Sequence, residues 1–195
     1  MKEAEGRLAK REVAGKTRMD SADKNNVVSA GLSPEGKSQR PIYLFTDGAA
    51  SGNPGPGGWA AILVCGKLRK EMSGGFIRTT NNRMELLGVI MGLEAIKWTH
   101  ARVEVWSDSS YVVKAVNEGW LRNWQATGFK NKKNVDLWKR FLAVWGRHEV
   151  TFHWLKGHAG HPENERCDRM AVDAGAGAFS RGEQLPLDEG YETSE

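Results

Sequence analysis

Cysteine is nearly absent from this chain, whose 195 residues hold only Cys65 and Cys167. The two lie far apart, with neither a CxxC pair nor the dense spacing of a secreted disulfide scaffold, so a reducing cytoplasm is the expected compartment. Long apolar runs are missing too: the longest cover only a few residues, against the ~20 that a bilayer crossing needs, which excludes a membrane span. Aromatic residues are absent from residues 1–40, which alternate Lys, Arg, Glu and Asp with Gly, Ser and Ala. Such a stretch cannot bury enough apolar area to offset chain entropy and is expected to be a disordered tail. It has neither the apolar segment of a secretory signal nor the acid-poor composition of a mitochondrial presequence.

What is present suffices for one soluble domain with a sizeable core: 39% of the residues are hydrophobic and 27% charged. Residues 1–40 carry 9 basic and 6 acidic side chains, residues 41–174 carry 18 and 13, and residues 175–195 carry 1 and 5. The net +5 of the middle segment suits a polyanionic partner, although many basic proteins bind none. The last segment is polar and ends in an acidic run, so it is expected to be a second tail.

Between the tails, Ile42–Thr46 is a β-rich run ending in Asp47-Gly48 and a Gly/Pro-dense loop. Two further strands, Trp59–Val64 and Lys67–Ile77, join tightly at Gly66 to make an antiparallel meander. From Asn82 to Trp98 the spacing is helical and apolar nearly all round, which predicts a buried helix. Strand Val103–Trp106, helices Ser109–Asn117 and Val135–Gly146, strand Val150–Leu155 and helix Glu163–Ala174 follow. This order predicts an α/β fold with a mixed five-stranded sheet: three antiparallel strands, then strands alternating with helices that flank the sheet.

Four carboxylates stand where side chains can be aimed into one site: Asp47, Glu85, Asp108 and Asp168. Each has an ordinary structural explanation. Asp47 fits an Asp-Gly turn, Glu85 the third position of a capping box begun by Asn82, Asp108 a helix N-cap, and Asp168 a solvated helix face. Taken together they suggest more, because Asp47 and Asp108 both follow strands and meet if those strands are neighbours. Acids brought together raise one another's pKa. A hard divalent cation such as Mg²⁺ or Mn²⁺ removes that cost, and two such ions ~4 Å apart form a recurring clamp for phosphoryl displacement.

The motifs Thr46-Asp47-Gly48 with Gly52-Asn53-Pro54-Gly55-Pro56-Gly57-Gly58, then Thr80 to Glu85, Ser107 to Val112, and Lys156 to Asp168 resemble, in order and spacing, those of bacterial ribonuclease H type 1. The resemblance runs from about residue 41 to 174. It implies a ribonuclease H-like fold and a monomeric endonuclease that cuts the RNA strand of RNA:DNA hybrids with two Mg²⁺ ions, Mn²⁺ being a possible substitute, and leaves 5′-phosphate and 3′-hydroxyl ends. On it, the metal ligands fall on Asp47, Glu85, Asp108 and Asp168, with Asp47 bridging the ions, and a mobile-loop histidine with a proton-shuttle or product-release role falls on His158. Apart from the resemblance, His158 reads first as a surface residue; a transition-metal pair with His161 ranks below that, because nearby sulfur or further His ligands are missing.

The resemblance further places RNA 2′-hydroxyl contacts on Gly48, Ala49, Ser51, Asn81 and Glu85. It places the DNA strand against Tyr111 and Trp120, a DNA phosphate between Thr80 and Asn134, and amides facing the minor groove at Asn53 and Asn82. Core packing for the two aromatics and helix capping for Thr80 or Asn82 are the plain alternatives. The family's long basic protrusion is shortened here to Gln125–Asn134, with Lys130, Lys132 and Lys133 as its cations for a phosphate backbone. Two competing readings are a DNA-cutting transposase or integrase of the same fold and a catalytically inactive hybrid-binding module.

Overall fold

A computed structural model describes residues 40–157 and 160–192. The expected N-terminal tail, apart from Arg40, lies outside the described residues. Strands β1 (Ile42–Ala50), β2 (Gly55–Cys65) and β3 (Leu68–Thr79) form the expected meander, with the β2–β3 turn at Gly66 in the left-handed region, φ +61°. Helix α1 (Asn81–Glu94) then carries the chain over the sheet to β4 (Arg102–Ser107), which pairs parallel to β1. A parallel neighbour cannot be reached by a hairpin, so a crossover helix is required. Helices α2 (Ser110–Asn117), α3 (Trp120–Ala126) and α4 (Val135–Trp145) precede β5 (Glu149–Trp154), parallel to β4. The sheet order is β3-β2-β1-β4-β5, an open mixed α/β sheet as expected.

Two apolar clusters hold helices to the sheet. On one face Ile42, Leu44, Val103 and Val105 meet Leu86, Ile90 and Leu93 of α1 and Trp138 and Phe141 of α4, all essentially inaccessible to water. Ten consecutive or near-consecutive residues of α1 are buried, so it has almost no solvated stripe. On the other face Phe45, Ala60 and Ile62 receive Cys167 and Ala171 of α5 (Pro162–Val172).

Several elements differ from the sequence expectation. β1 and β2 run further into the Gly/Pro loop, because Asp47–Ala50 pair with Ala60–Gly57 in register. α3 was not anticipated as a separate helix, and the short loop after it is anchored by Phe129, which is buried in the main core. The most consequential difference is the C-terminal stretch, expected to be a tail from residue 175. A π-helical turn, Asp173–Gly177, extends α5 across β2, where a Cβ on Gly58 would lie 2.7 Å from the Gly175 nitrogen. After α6 (Ala178–Ser180) the chain crosses β3, with Ile77 N–H donating to the Pro186 carbonyl at 3.0 Å, and ends in the turn α7 (Glu189–Glu192). Asp188 is buried there, with the Thr79 hydroxyl donating to it at 2.6 Å. An acidic segment reads as solvated until a partner distant in sequence takes one of its charges out of water.

Candidate active site

Asp47, Glu85 and Asp108 each offer a carboxylate oxygen within 4.8 Å of the others. Asp47 projects from the body of β1, opposite Ala60, and is no turn residue. Asp108 lies just past β4, and the next helix is capped by Ser109, whose hydroxyl accepts from Val112 N–H, so Asp108 is not an N-cap. Glu85 belongs to no capping box, since the N-cap position of α1 is Thr80, two residues before Asn82. Glu85 reaches Asp47 because α1 crosses β1 at a glycine: a Cβ on Gly48 would sit 2.1 Å from the Glu85 backbone nitrogen, so any side chain at 48 would push the helix away.

Asp47 and Glu85 are buried and Asp108 is half-buried. Burial, then the Asp108 charge, push Asp47 up from its ordinary 3.8 to about 7, although Gly48 N–H donates to its Oδ1 at 2.7 Å; Asp168 adds to the rise. Burial, then Asp47 and Asp108, hold Glu85 well above the usual carboxylate range. The side-chain amide of Asn81 donates to Glu85 Oε1 at 3.3 Å, while Glu85 Oε2 is buried with no hydrogen-bond partner. An orphaned, buried carboxylate oxygen beside two further carboxylates is the donor set that a hard divalent cation fits. Asp168 stands apart from this tight group, half-buried on α5, and reaches Asp47 through its charge.

Beside the triad opens a cleft of about 710 Å³, whose lining includes Asn53, Thr80, Asn82, Tyr111, Lys132, Lys133 and Asn134. Asn81 links cleft to triad: its backbone N–H donates to Asn53 Oδ1 at 3.2 Å and its side chain to Glu85. The Thr80 hydroxyl caps nothing in α1. Tyr111 is partly a core residue, its hydroxyl receiving Trp138 Nε1–H at 2.7 Å and the Asn134 amide at 3.1 Å. Ala49 lies half-buried at the end of β1, and Ser51 is exposed with its N–H bonded to the Pro56 carbonyl. Trp120 is exposed on α3 with its ring 6.4 Å from that of Trp124, and Lys130 is exposed; neither lines the cleft. His158 lies outside the described residues, and His161 packs its ring against Phe45 and Trp106.

The family model for RNase H matches residues 39–176. The chain belongs to the ribonuclease H family. It is 51% identical over 152 residues to the ribonuclease H of Desulforamulus reducens, covering 75% of this chain and 92% of that one. It is 49% identical over 160 residues to that of Rippkaea orientalis, covering 80% and 94%. Among solved structures, LC9-RNase H1, described as a type 1 RNase H with the type 2 active-site motif, superposes with a TM-score of 0.65 at 31% identity, covering 71% of this chain and 73% of that one. The protein is thus an enzyme, a ribonuclease H of type 1 that hydrolyses the RNA strand of hybrids.

Three residues of this ribonuclease H escaped the sequence reading. Asn164 is buried and its amide donates to Asp108 Oδ2 at 3.3 Å; its spacing of four from Asp168 on one helix was the available signal. Trp124 lines the cleft with the Lys132 ammonium 5.2 Å from its ring centroid. Tyr191, from the supposed tail, lines the same cleft, and no local pattern marked it.

Proposed function

We propose that this ribonuclease H cuts hybrids by two-metal-ion chemistry, leaving 5′-phosphate and 3′-hydroxyl ends, and works as a monomer in the cytoplasm. The observation that carries the reading is the close triad Asp47, Glu85 and Asp108 with the unpartnered, buried Glu85 Oε2. These three residues and Asp168 would hold the ions, Mg²⁺ or Mn²⁺. Bound there, divalent ions supply Lewis-acid activation of water and charge neutralisation at the leaving oxygen. Asn164 keeps the Asp108 carboxylate oriented, and Asn81 does the same for Glu85.

The chain's own groups provide selection. The backbone around Gly48, Ala49 and Ser51, with Asn81 and Glu85, reads successive 2′-hydroxyls of the RNA strand. Thr80, with its free hydroxyl, and Asn134 grip a DNA phosphate in the cleft, Asn53 and Asn82 face the minor groove, and Tyr111 and Trp120 guide the DNA strand. Lys130, Lys132 and Lys133 attract the backbone. His158, which the resemblance matches to the family's histidine, moves a proton during cleavage or product release.

The test is cleavage of an end-labelled RNA:DNA hybrid in Mg²⁺, in Mn²⁺ and in chelator, with the product ends mapped. Metal-dependent cuts with 5′-phosphates are expected. Binding without cleavage in either metal would instead identify an inactive hybrid-binding module.

A further inference from the structure

Among the described residues, Arg83 is the one Lys or Arg buried in the core, with 1% of its side chain accessible. It occupies the first turn of α1 and uses both sides of its guanidinium. Toward α4, its two terminal nitrogens donate to Asp136 Oδ1 and Oδ2 at 2.9 and 2.7 Å. Toward the C-terminal segment, Nε and one terminal nitrogen donate to Asp188 Oδ2 and Oδ1 at 2.7 and 2.8 Å. Asp188 also receives the Thr79 hydroxyl and, at 3.3 Å, the Tyr191 N–H. One carboxylate therefore ties the end of β3, the start of α1 and, through Arg83, the start of α4.

Those points bear the cleft. Thr80 follows Thr79 and stands at the N-cap position of α1, while Asn134 stands at that of α4, two residues before Asp136, in the left-handed region at φ 58°. Gly190 lies directly on the Arg83–Asp136 pair, where a Cβ would fall 2.0 Å from Asp136 Oδ2 and 2.6 Å from the Arg83 guanidinium. Tyr191 follows as a wall of the cleft, its ring 5.0 Å from the Arg78 guanidinium carbon.

We propose that Asp188 is a positioning residue for hybrid binding: the C-terminal segment, latched by Asp188 onto Arg83, sets the spacing of Thr80 and Asn134 and seats Tyr191 beside them. The inference rests on the reading of the cleft as the DNA-phosphate grip. A bidentate guanidinium clamped from two sides has little angular freedom, so the separation of the two helix starts is held before a phosphate arrives. Without the Asp188 side, Arg83 keeps only its Asp136 contact, so the two helix starts lose half of their clamp although the apolar packing of α1 on α4 and the Arg140–Glu94 pair near the far end of α1 remain, and the C-terminal segment loses its buried anchor.

The experiment measures initial rates against hybrid concentration in Mg²⁺ at 25 °C for the full-length protein, Asp188→Asn, Asn134→Ala and the double variant, with circular dichroism verifying that each is folded. Asp188→Asn is expected to raise KM about tenfold while kcat stays within about twofold, and to add less than about threefold to KM once Asn134 is already Ala, since both act on one grip. Two results overturn the proposal: an unchanged KM in Asp188→Asn, or an increase that multiplies fully with that of Asn134→Ala. If the wild-type protein cuts hybrid and Asn134→Ala leaves KM unchanged, the reading of the cleft fails instead, and the latch falls with it. Gly190→Val, which retains every charge but unseats the segment, is expected to reproduce the KM effect; wild-type KM in that variant also counts against the latch.

Discussion

Asp47 and Asp108 each stand two residues beyond the paired Phe45 and Trp106 on neighbouring parallel strands. Parallel pairing thus brings two carboxylates to the same level of the sheet, and the glycine beside Asp47 lets α1 deliver Glu85 to the third corner. The arrangement is electrostatically unfavourable alone, and that cost leads directly to the first two expectations.

Asp47→Asn should lower the rate of hybrid cleavage about a thousandfold or more, because a lost metal ligand forfeits several kcal/mol of charge stabilisation. The variant should still bind hybrid and give an unchanged far-ultraviolet spectrum, since little apolar packing is lost. Cleavage at the wild-type rate would exclude Asp47 from the chemistry.

In chelator, the Asp47 carboxyl binds its proton more tightly folded, at about 7, than its ordinary 3.8. Below pH ~4 both states are protonated and nothing is lost; as pH rises to about 7 the unfolded state gains by releasing the proton, so stability falls across that window. The Tm of wild type minus that of Asp47→Asn should therefore drop by roughly 5 °C or more between pH 4 and 7.5. Mg²⁺ should reverse the drop. A pH-independent difference by calorimetry would contradict the assigned burial and repulsion.

Lys130, Lys132 and Lys133 replaced by Ala should weaken hybrid binding and flatten its salt dependence, each lost phosphate contact reducing the log-log slope by roughly 0.7 to 0.9. Lys132, held over Trp124, is expected to carry the largest single share. Titrations from low to high salt with an unchanged slope would place this loop off the nucleic acid.

Substrate preference should follow from reading several 2′-hydroxyls on one strand and a phosphate on the other. Double-stranded RNA should bind but resist cutting, and a DNA duplex with one embedded ribonucleotide should be cut poorly. Initial rates on these and on a matching hybrid decide the matter; equal rates on the single-ribonucleotide duplex and the hybrid would refute multi-hydroxyl reading.

Asp188→Ala should cost about 3 kcal/mol of folding stability, at the lower end for breaking a buried ion pair because Asp136 still holds Arg83. A denaturant midpoint equal to that of wild type would show that the C-terminal segment contributes nothing to the fold, as its composition alone suggests.

The strands of the meander, the buried α1 and the alternation that follows were legible because each is written in a local period of apolar residues, and the acidic residues because long motifs surround them. Element edges were less so. Asp47 reads as a turn in Asp-Gly, and only its pairing with Ala60 in β2 turns it into a strand residue facing the site. Likewise Thr80, Asn82 and Asp108 are all plausible caps in isolation, and where each helix starts depends on where tertiary packing begins to hold the backbone: Thr80 and Ser109 take the N-cap positions.

By itself, then, the amino-acid sequence determined the α/β class, the helix apolar all round and the set of acids available for metal binding, since period and composition act over a few residues. Only the tertiary structure decided that three of those acids crowd within 4.8 Å while Asp168 stands further off, and that Asp188 is a buried partner of Arg83, 105 residues earlier in the chain. The physical reason is desolvation. A carboxylate looks the same in sequence whether water or a guanidinium surrounds it, and folding chooses between the two.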